Sequence, residues 1–125
     1  MKHRKQAHEQ LERTIQWNTI RGNTPDTLNW ELEIAMLQEE LDELKESLDT
    51  GTKVDSWDAL LDLQFVLIGT MSKMGLSAEH IVDGYEAVLM ANESKSSVKN
   101  AQGKITKNQD FIGPESKLQI ILDKL

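Results

Sequence analysis

The stretch LQEELDELKESL, residues 37–48, sets Leu37, Leu41, Leu44 and Leu48 at alternating steps of four and three, with five acids between them. At 100° per residue the leucines fall within about 60° of one another, so the segment reads as an amphipathic helix with one apolar stripe. Glu40 lies about 70° from the centre of that stripe, Glu43 about 60° beyond it and Glu39 about 40° further. These three carboxylates form a compact cluster at the edge of the apolar face, while Asp42 and Glu46 turn towards solvent. Like charges three or four residues apart repel by roughly 0.2–0.5 kcal/mol per pair. Such a cluster is either a solvated face or a place where cations sit.

The next helix bears on that choice. The run DALLDLQFVLIGTM, residues 58–71, is apolar nearly all the way round, as a buried central helix should be. Asp58 and Asp62 interrupt it, four residues and about 40° apart. Asp is a poor helix former and is almost never fully buried without a partner. Asp58 has a structural account at N3 of a helix capped by Asp55, where the helix dipole favours an acid. Asp62 is too far along the helix for that. Carboxylates converging from two helices are a known arrangement for hard divalent cations such as Mg²⁺ or Mn²⁺.

The flanking sequence supplies the remaining elements. A first helix runs from about Lys5 to Ile20, with Ala7, Leu11 and Ile15 at four-residue steps, and RGNTPD breaks it. Pro25 suits the first turn of the second helix, with Thr24 as its cap. Gly75 ends the third helix and Ser77 caps a fourth. NAQGK predicts a short hairpin around Gly103, and Gly113-Pro114 opens a final helix. The reading is an all-α chain, a single domain over residues 1–125 built as a bundle of four main helices with a short fifth.

Composition narrows the function. The 125 residues carry a formal charge of −7, which argues against direct nucleic-acid binding. Between Asp26 and Asp62 twelve acids face two lysines, while Lys95 to Lys107 holds four lysines and no acid. An acidic centre suits metal ions and a lysine-rich segment suits polyphosphate. The chain has no cysteine, so thiolate sites and disulfides are excluded. The basic MKHRKQAHEQ has no apolar stretch behind it, and no run approaches membrane-spanning length; no membrane partner and a cytoplasmic location are expected. His3, His8 and His80 have no ligand spacing.

Taken together, EELDEL followed by DALLDLQFVLIGT resembles the MazG-like, phosphoribosyl-ATP-pyrophosphohydrolase-like all-α nucleoside triphosphate pyrophosphohydrolases. That family carries Glu-Glu-x-x-Glu on one helix, matched by Glu39-Glu40-Leu41-Asp42-Glu43. Its Glu-x-x-Asp is departed from, because Ala59 stands three residues before Asp62 and Asp58 four before. The Asp-x-x-x-Asp form looks like a subgroup with several phage-type members. ANESKSS and GKITKNQDFIGPE are similar to the family's Asn-x-Ser-Lys segment and the lysine-rich stretch after it.

The resemblance implies metal-dependent hydrolysis of a (deoxy)nucleoside triphosphate to the monophosphate and pyrophosphate, with two or three Mg²⁺ ions per site, Mn²⁺ being an alternative. It implies Glu40, Glu43 and Asp62 as ligands, Glu39 as a ligand or the catalytic base, and Asp58 as a ligand if it replaces the missing Glu. Asn92, Lys95, Lys104 and Lys107 would bind phosphate. Trp17, Asn18 and Trp30 are the candidates for the base, and family members associate as homodimers or homotetramers. The apolar KLQIILDKL helix suits such an interface. Two other readings stand beside this one. The substrate is instead another nucleotide such as phosphoribosyl-ATP, or the protein is no enzyme but an acidic helical interaction module for a basic partner. The module accounts for the acidic centre but not for Asp62 among apolar residues.

Overall fold

The computed structural model describes residues 2–95 and 97–125, and among them it is all-α, as expected. The helices are α1 (Lys2–Ile20), α2 (Trp30–Thr50), α3 (Lys53–Lys73), α4 (Ala78–Glu93) and α5 (Glu115–Asp123), with a 3₁₀ turn at Pro25–Thr27. The chain divides into two compact units, one ending at Ala78 and the other running from Glu79 to Leu125.

Capping chemistry sets the boundaries in the first unit. Pro25 starts only a single 3₁₀ turn, capped by Thr24. The chain then leaves helical geometry at Leu28, and Asn29 caps α2 by accepting from the N–H groups of Glu31 and Leu32. The second helix therefore begins five residues later than Pro25 suggests, because Asn29, not Thr24, satisfies the first N–H groups of α2. Two residues, Gly51 and Thr52, join α2 to α3. A Cβ on Gly51 would lie 2.8 Å from the Ser47 carbonyl oxygen and 2.9 Å from Asp55 Oδ2, so only glycine fits this corner. Thr52 caps α3, and Asp55 Oδ2 accepts the Thr52 N–H at 2.8 Å in a capping box. Asp55 is thus N3 rather than the cap, and Asp58 falls in the second turn, beyond the helix-end position that would explain it. Gly75, with φ +89°, follows the end of α3 as expected.

The short corner makes α2 and α3 an antiparallel hairpin, the most extensive helix pairing in the fold. The sheltered positions of α2 are Glu33, Met36, Leu37, Glu40, Leu44 and Ser47. Those of α3 include Ser56, Ala59, Leu63, Val66, Thr70 and Lys73. Glu33, Leu37, Glu40, Leu44 and Ser47 on α2, with Met36 beside them, and the whole α3 set step by threes and fours, as a helix–helix seam must. The seam of α2 runs through Glu40, not beside it. Leu48 is 70 % exposed and Leu41 also faces out, although sequence puts both on the buried stripe. On α3, Leu60, Leu61, Phe65 and Leu67 are exposed too, so the chain alone does not bury this helix all round.

The first helix packs on α3 where Asn18 meets Gly69. Asn18 is 4 % exposed; its amide donates to the Thr14 carbonyl at 3.0 Å and its Oδ1 accepts from Asn23 Nδ2 at 3.2 Å. In the second unit, Leu118 of α5 reaches α4 at Gly84, and a tight hairpin pairs Lys99 with Ile105 around Gly103. A Cβ on Gly69 would stand 3.1 Å from Asn18 Nδ2, a group that its two hydrogen bonds keep from yielding. Helix propensity alone favours Gly69→Ala by about 0.5–1 kcal/mol. Overpacking against a fixed amide should outweigh that and leave a net loss of about 1 kcal/mol. Urea denaturation measures it; a stabilised variant would show that α1 and α3 are not in close contact here.

Candidate metal centre

The α2–α3 seam brings Glu40, Glu43 and Asp62 together. Each offers one carboxylate oxygen, and these oxygens lie within 4.8 Å of one another. Glu40 is half-buried, whereas Glu43 and Asp62 are exposed. Asp62 is therefore not an acid sunk in an apolar helix; it stands at the open edge of the seam, where solvent and ligand can reach it. Glu40 Oε2 is itself buried and has no hydrogen-bond partner. Burial pushes the Glu40 carboxyl above its ordinary range. The neighbouring carboxyl of Glu43 and the charges of Asp62 and Glu39 push the same way. A buried anionic oxygen without a donor, facing two more carboxylates, is an arrangement that a hard divalent cation would satisfy. The donor set is all oxygen and suits Mg²⁺ or Mn²⁺.

The other acids stand around this group. Glu39 is exposed and close enough for its charge to act on Glu40. Asp58 is not among the three converging carboxylates. It lines an adjacent cleft of about 250 Å³ together with Glu43, Glu46, Ser47 and Asp55. Glu43 borders both.

Trp17 meets Phe65 edge-on at 5.1 Å, and the Arg21 guanidinium covers its ring at 4.3 Å. Asn18 is buried against α3, with its side-chain amide engaged as described. Trp30, the first residue of α2, is 52 % exposed. In the second unit, Lys95 and Lys107 share one aromatic ring, their ammonium groups 5.7 and 5.1 Å from the centre of Phe111. Asn92 turns its amide back to the Val88 carbonyl at 2.8 Å. Lys104 sits in the hairpin, held through its backbone by Asn100.

One cluster went unmarked in the sequence. Glu33, with no exposed surface, accepts both oxygens' worth of bonding from Lys73 Nζ, at 3.0 and 2.9 Å, and a further bond from Thr70 Oγ1 at 3.0 Å. A signal existed: Glu33 precedes Glu40 by seven residues, about 20° from it on the helix. Lys73 is also the first cation after a long apolar run.

The family model described as phosphoribosyl-ATP pyrophosphohydrolase matches residues 6–87, which takes in α2, α3 and all the acids just described. The chain belongs to this family. Membership makes it one of the all-α, MazG-like hydrolases, nucleotide pyrophosphohydrolases in general terms. The match ends before Asn92, Lys95, Lys104 and Lys107. No curated protein matches the chain. Among the described residues no single helix is long and apolar enough to cross a membrane.

The raised Glu40 carboxyl has a consequence for stability. A carboxyl whose folded pKa exceeds its unfolded value binds more protons when folded, so it costs stability as pH rises from the ordinary carboxylate range through the raised value. Glu40→Gln removes that cost. In metal-free buffer the variant should melt above the parent at neutral pH, and the gap should close as pH falls into the ordinary carboxylate range. A gap independent of pH, in parallel thermal melts, would remove the electrostatic account of the cluster.

Proposed function

We propose that the protein is a divalent-metal-dependent pyrophosphohydrolase that converts a (deoxy)nucleoside triphosphate to its monophosphate and pyrophosphate. The observation that carries this is Glu40 Oε2, a buried oxygen without a donor among converging carboxylates. Glu40, Glu43 and Asp62 would hold two or three Mg²⁺ or Mn²⁺ ions, with Asp58 a further ligand across the cleft wall at Glu43. Bound there, the ions supply charge neutralisation for the phosphates and acidify water at neutral pH. Glu39, exposed beside the cluster, orients the attacking water and takes its proton. The water oxygen bonds to the α-phosphorus as the bond to the bridging oxygen breaks, and the electron pair leaves with pyrophosphate.

Lys95, Lys104, Lys107 and Asn92 are assigned to the phosphates by likeness to the family. The grouping of Lys95 and Lys107 on Phe111 supports that assignment, because paired cations suit a polyanion. Trp30 offers exposed ring surface for a base; Trp17, whose ring Arg21 covers on one side, and its neighbour Asn18 are the other candidates. The family description favours a second substrate reading, phosphoribosyl-ATP, cleaved by the same chemistry. Leu60, Leu61, Phe65 and Leu67 on α3, with Ile34 and Leu48 on α2, are too much exposed apolar surface for a lone chain. We infer a homodimer or homotetramer, working in the cytoplasm; light scattering that gave a monomer mass at micromolar concentration would exclude it.

The activity is tested by a nucleotide panel with Mg²⁺ in water enriched in oxygen-18. Triphosphates should give monophosphate and pyrophosphate, with the heavy oxygen in the monophosphate alone. Cleavage confined to phosphoribosyl-ATP would select the second substrate. Label in pyrophosphate or in free orthophosphate would exclude attack at the α-phosphorus.

A further inference from the structure

Three polar contacts cross the α2–α3 seam, evenly spaced along α2. Glu33 bonds Thr70 and Lys73, Glu40 approaches Asp62, and Ser47 Oγ lies 3.0 Å from Ser56 Oγ. On α2 the three residues are seven apart, one heptad each, and on α3 the partners Thr70, Asp62 and Ser56 step back by eight and six. A heptad is the repeat that keeps one seam facing a partner helix. The acid cluster is therefore the middle rung of a polar ladder. The rungs on either side are a buried ion pair and a hydroxyl pair.

Between the rungs the seam is Met36, Leu37 and Leu44 against Ala59, Leu63 and Val66. Aliphatic contacts are non-directional, so these side chains by themselves single out no one register. The outer rungs do single one out. A slip of one helical turn would leave Glu33 and Lys73 buried without each other, and an unpaired buried charge costs about 3–5 kcal/mol. Buried polar contacts of this type are best attested as devices that fix register. Glu33 is also fully buried, and its two oxygens take three bonds from two residues of α3, so it holds the rotation of α2 as well as its height.

We propose that the buried Glu33–Lys73–Thr70 cluster is a positioning device for the metal-binding carboxylates: it fixes the register of α2 on α3 and thereby decides whether Glu40 and Glu43 meet Asp62. The assignment rests on the metal reading of that acid cluster. Glu33, Thr70 and Lys73 touch no metal or substrate in this account; they act through the two helices. The pair is not needed for stability as such, since well-packed apolar residues commonly replace a buried ion pair at no loss.

That separation of roles is testable. Lys73→Met alone would strand a buried carboxylate and unfold the seam, so the informative variant is Glu33→Leu with Lys73→Met. Parent and double variant are compared by thermal melts without metal and by Mn²⁺ titration followed by electron paramagnetic resonance, neither of which depends on turnover. The expected result is a melting temperature equal to or above the parent's, with Mn²⁺ affinity at least tenfold weaker. Equal stability with unchanged affinity would overturn the assignment and leave the metal reading standing. A double variant that no longer folds would also overturn it, by making the pair a requirement of the fold. A parent that takes up no Mn²⁺ at fixed stoichiometry would remove the metal reading, and the positioning role with it.

Discussion

A glutamate with no exposed surface needs a cation that has also left water, and Glu33 has one in Lys73. The two residues are 40 positions apart in sequence, so the contact exists only when α2 and α3 run antiparallel at one register. Each charge loses its hydration on burial, and only the other, with Thr70, replaces it. Much of the first unit follows from that constraint. The Gly51–Thr52 corner fixes which way the hairpin turns, and the buried pair fixes how far one helix slides along the other. Ser47 and Ser56 repeat the constraint near the corner. The acids between these two points are held where they are.

What is held there is under strain of an electrostatic kind. Burial and the charges of Glu43 and Asp62 raise the cost of ionising Glu40, and Glu40 Oε2 is buried without a donor. Local rules of helix and core are broken at this one place while the surrounding seam obeys them, the pattern expected where a fold carries function. A divalent ion would reverse the sign of the interaction: the same three carboxylates that repel one another would become its ligands. The family to which the chain belongs is one of nucleotide pyrophosphohydrolases, and that is the chemistry proposed for this arrangement.

Helices were legible in the sequence because leucine spacing and glycine stops are local signals, and the acids of the cluster were legible because Glu-Glu-x-x-Glu and Asp62 stand out against their neighbours. Rotation of α2 was not. Counting leucines puts Leu41 and Leu48 inward, but the seam passes through Glu33, Glu40 and Ser47, three polar residues that a hydrophobic count ignores. The start of α2 was misplaced because Thr24 and Asn29 are both good caps, and only the backbone at Leu28 chooses between them. Glu33 was missed for a related reason: one more acid in an acidic stretch looks solvated until its partner on α3 is in place. Asp62 was expected among buried residues because α3 is apolar on every side. Several of those apolar residues face outward in the single chain.

The α2–α3 register brings Glu40, Glu43 and Asp62 together as the proposed divalent-metal site. Crystals grown with MnCl₂ and measured at the manganese absorption edge test it most directly. Anomalous peaks are expected between these three carboxylates, with one ion contacting Glu40 Oε2. Well-ordered side chains at all three positions with no anomalous peak among them, or manganese bound only elsewhere, would contradict it.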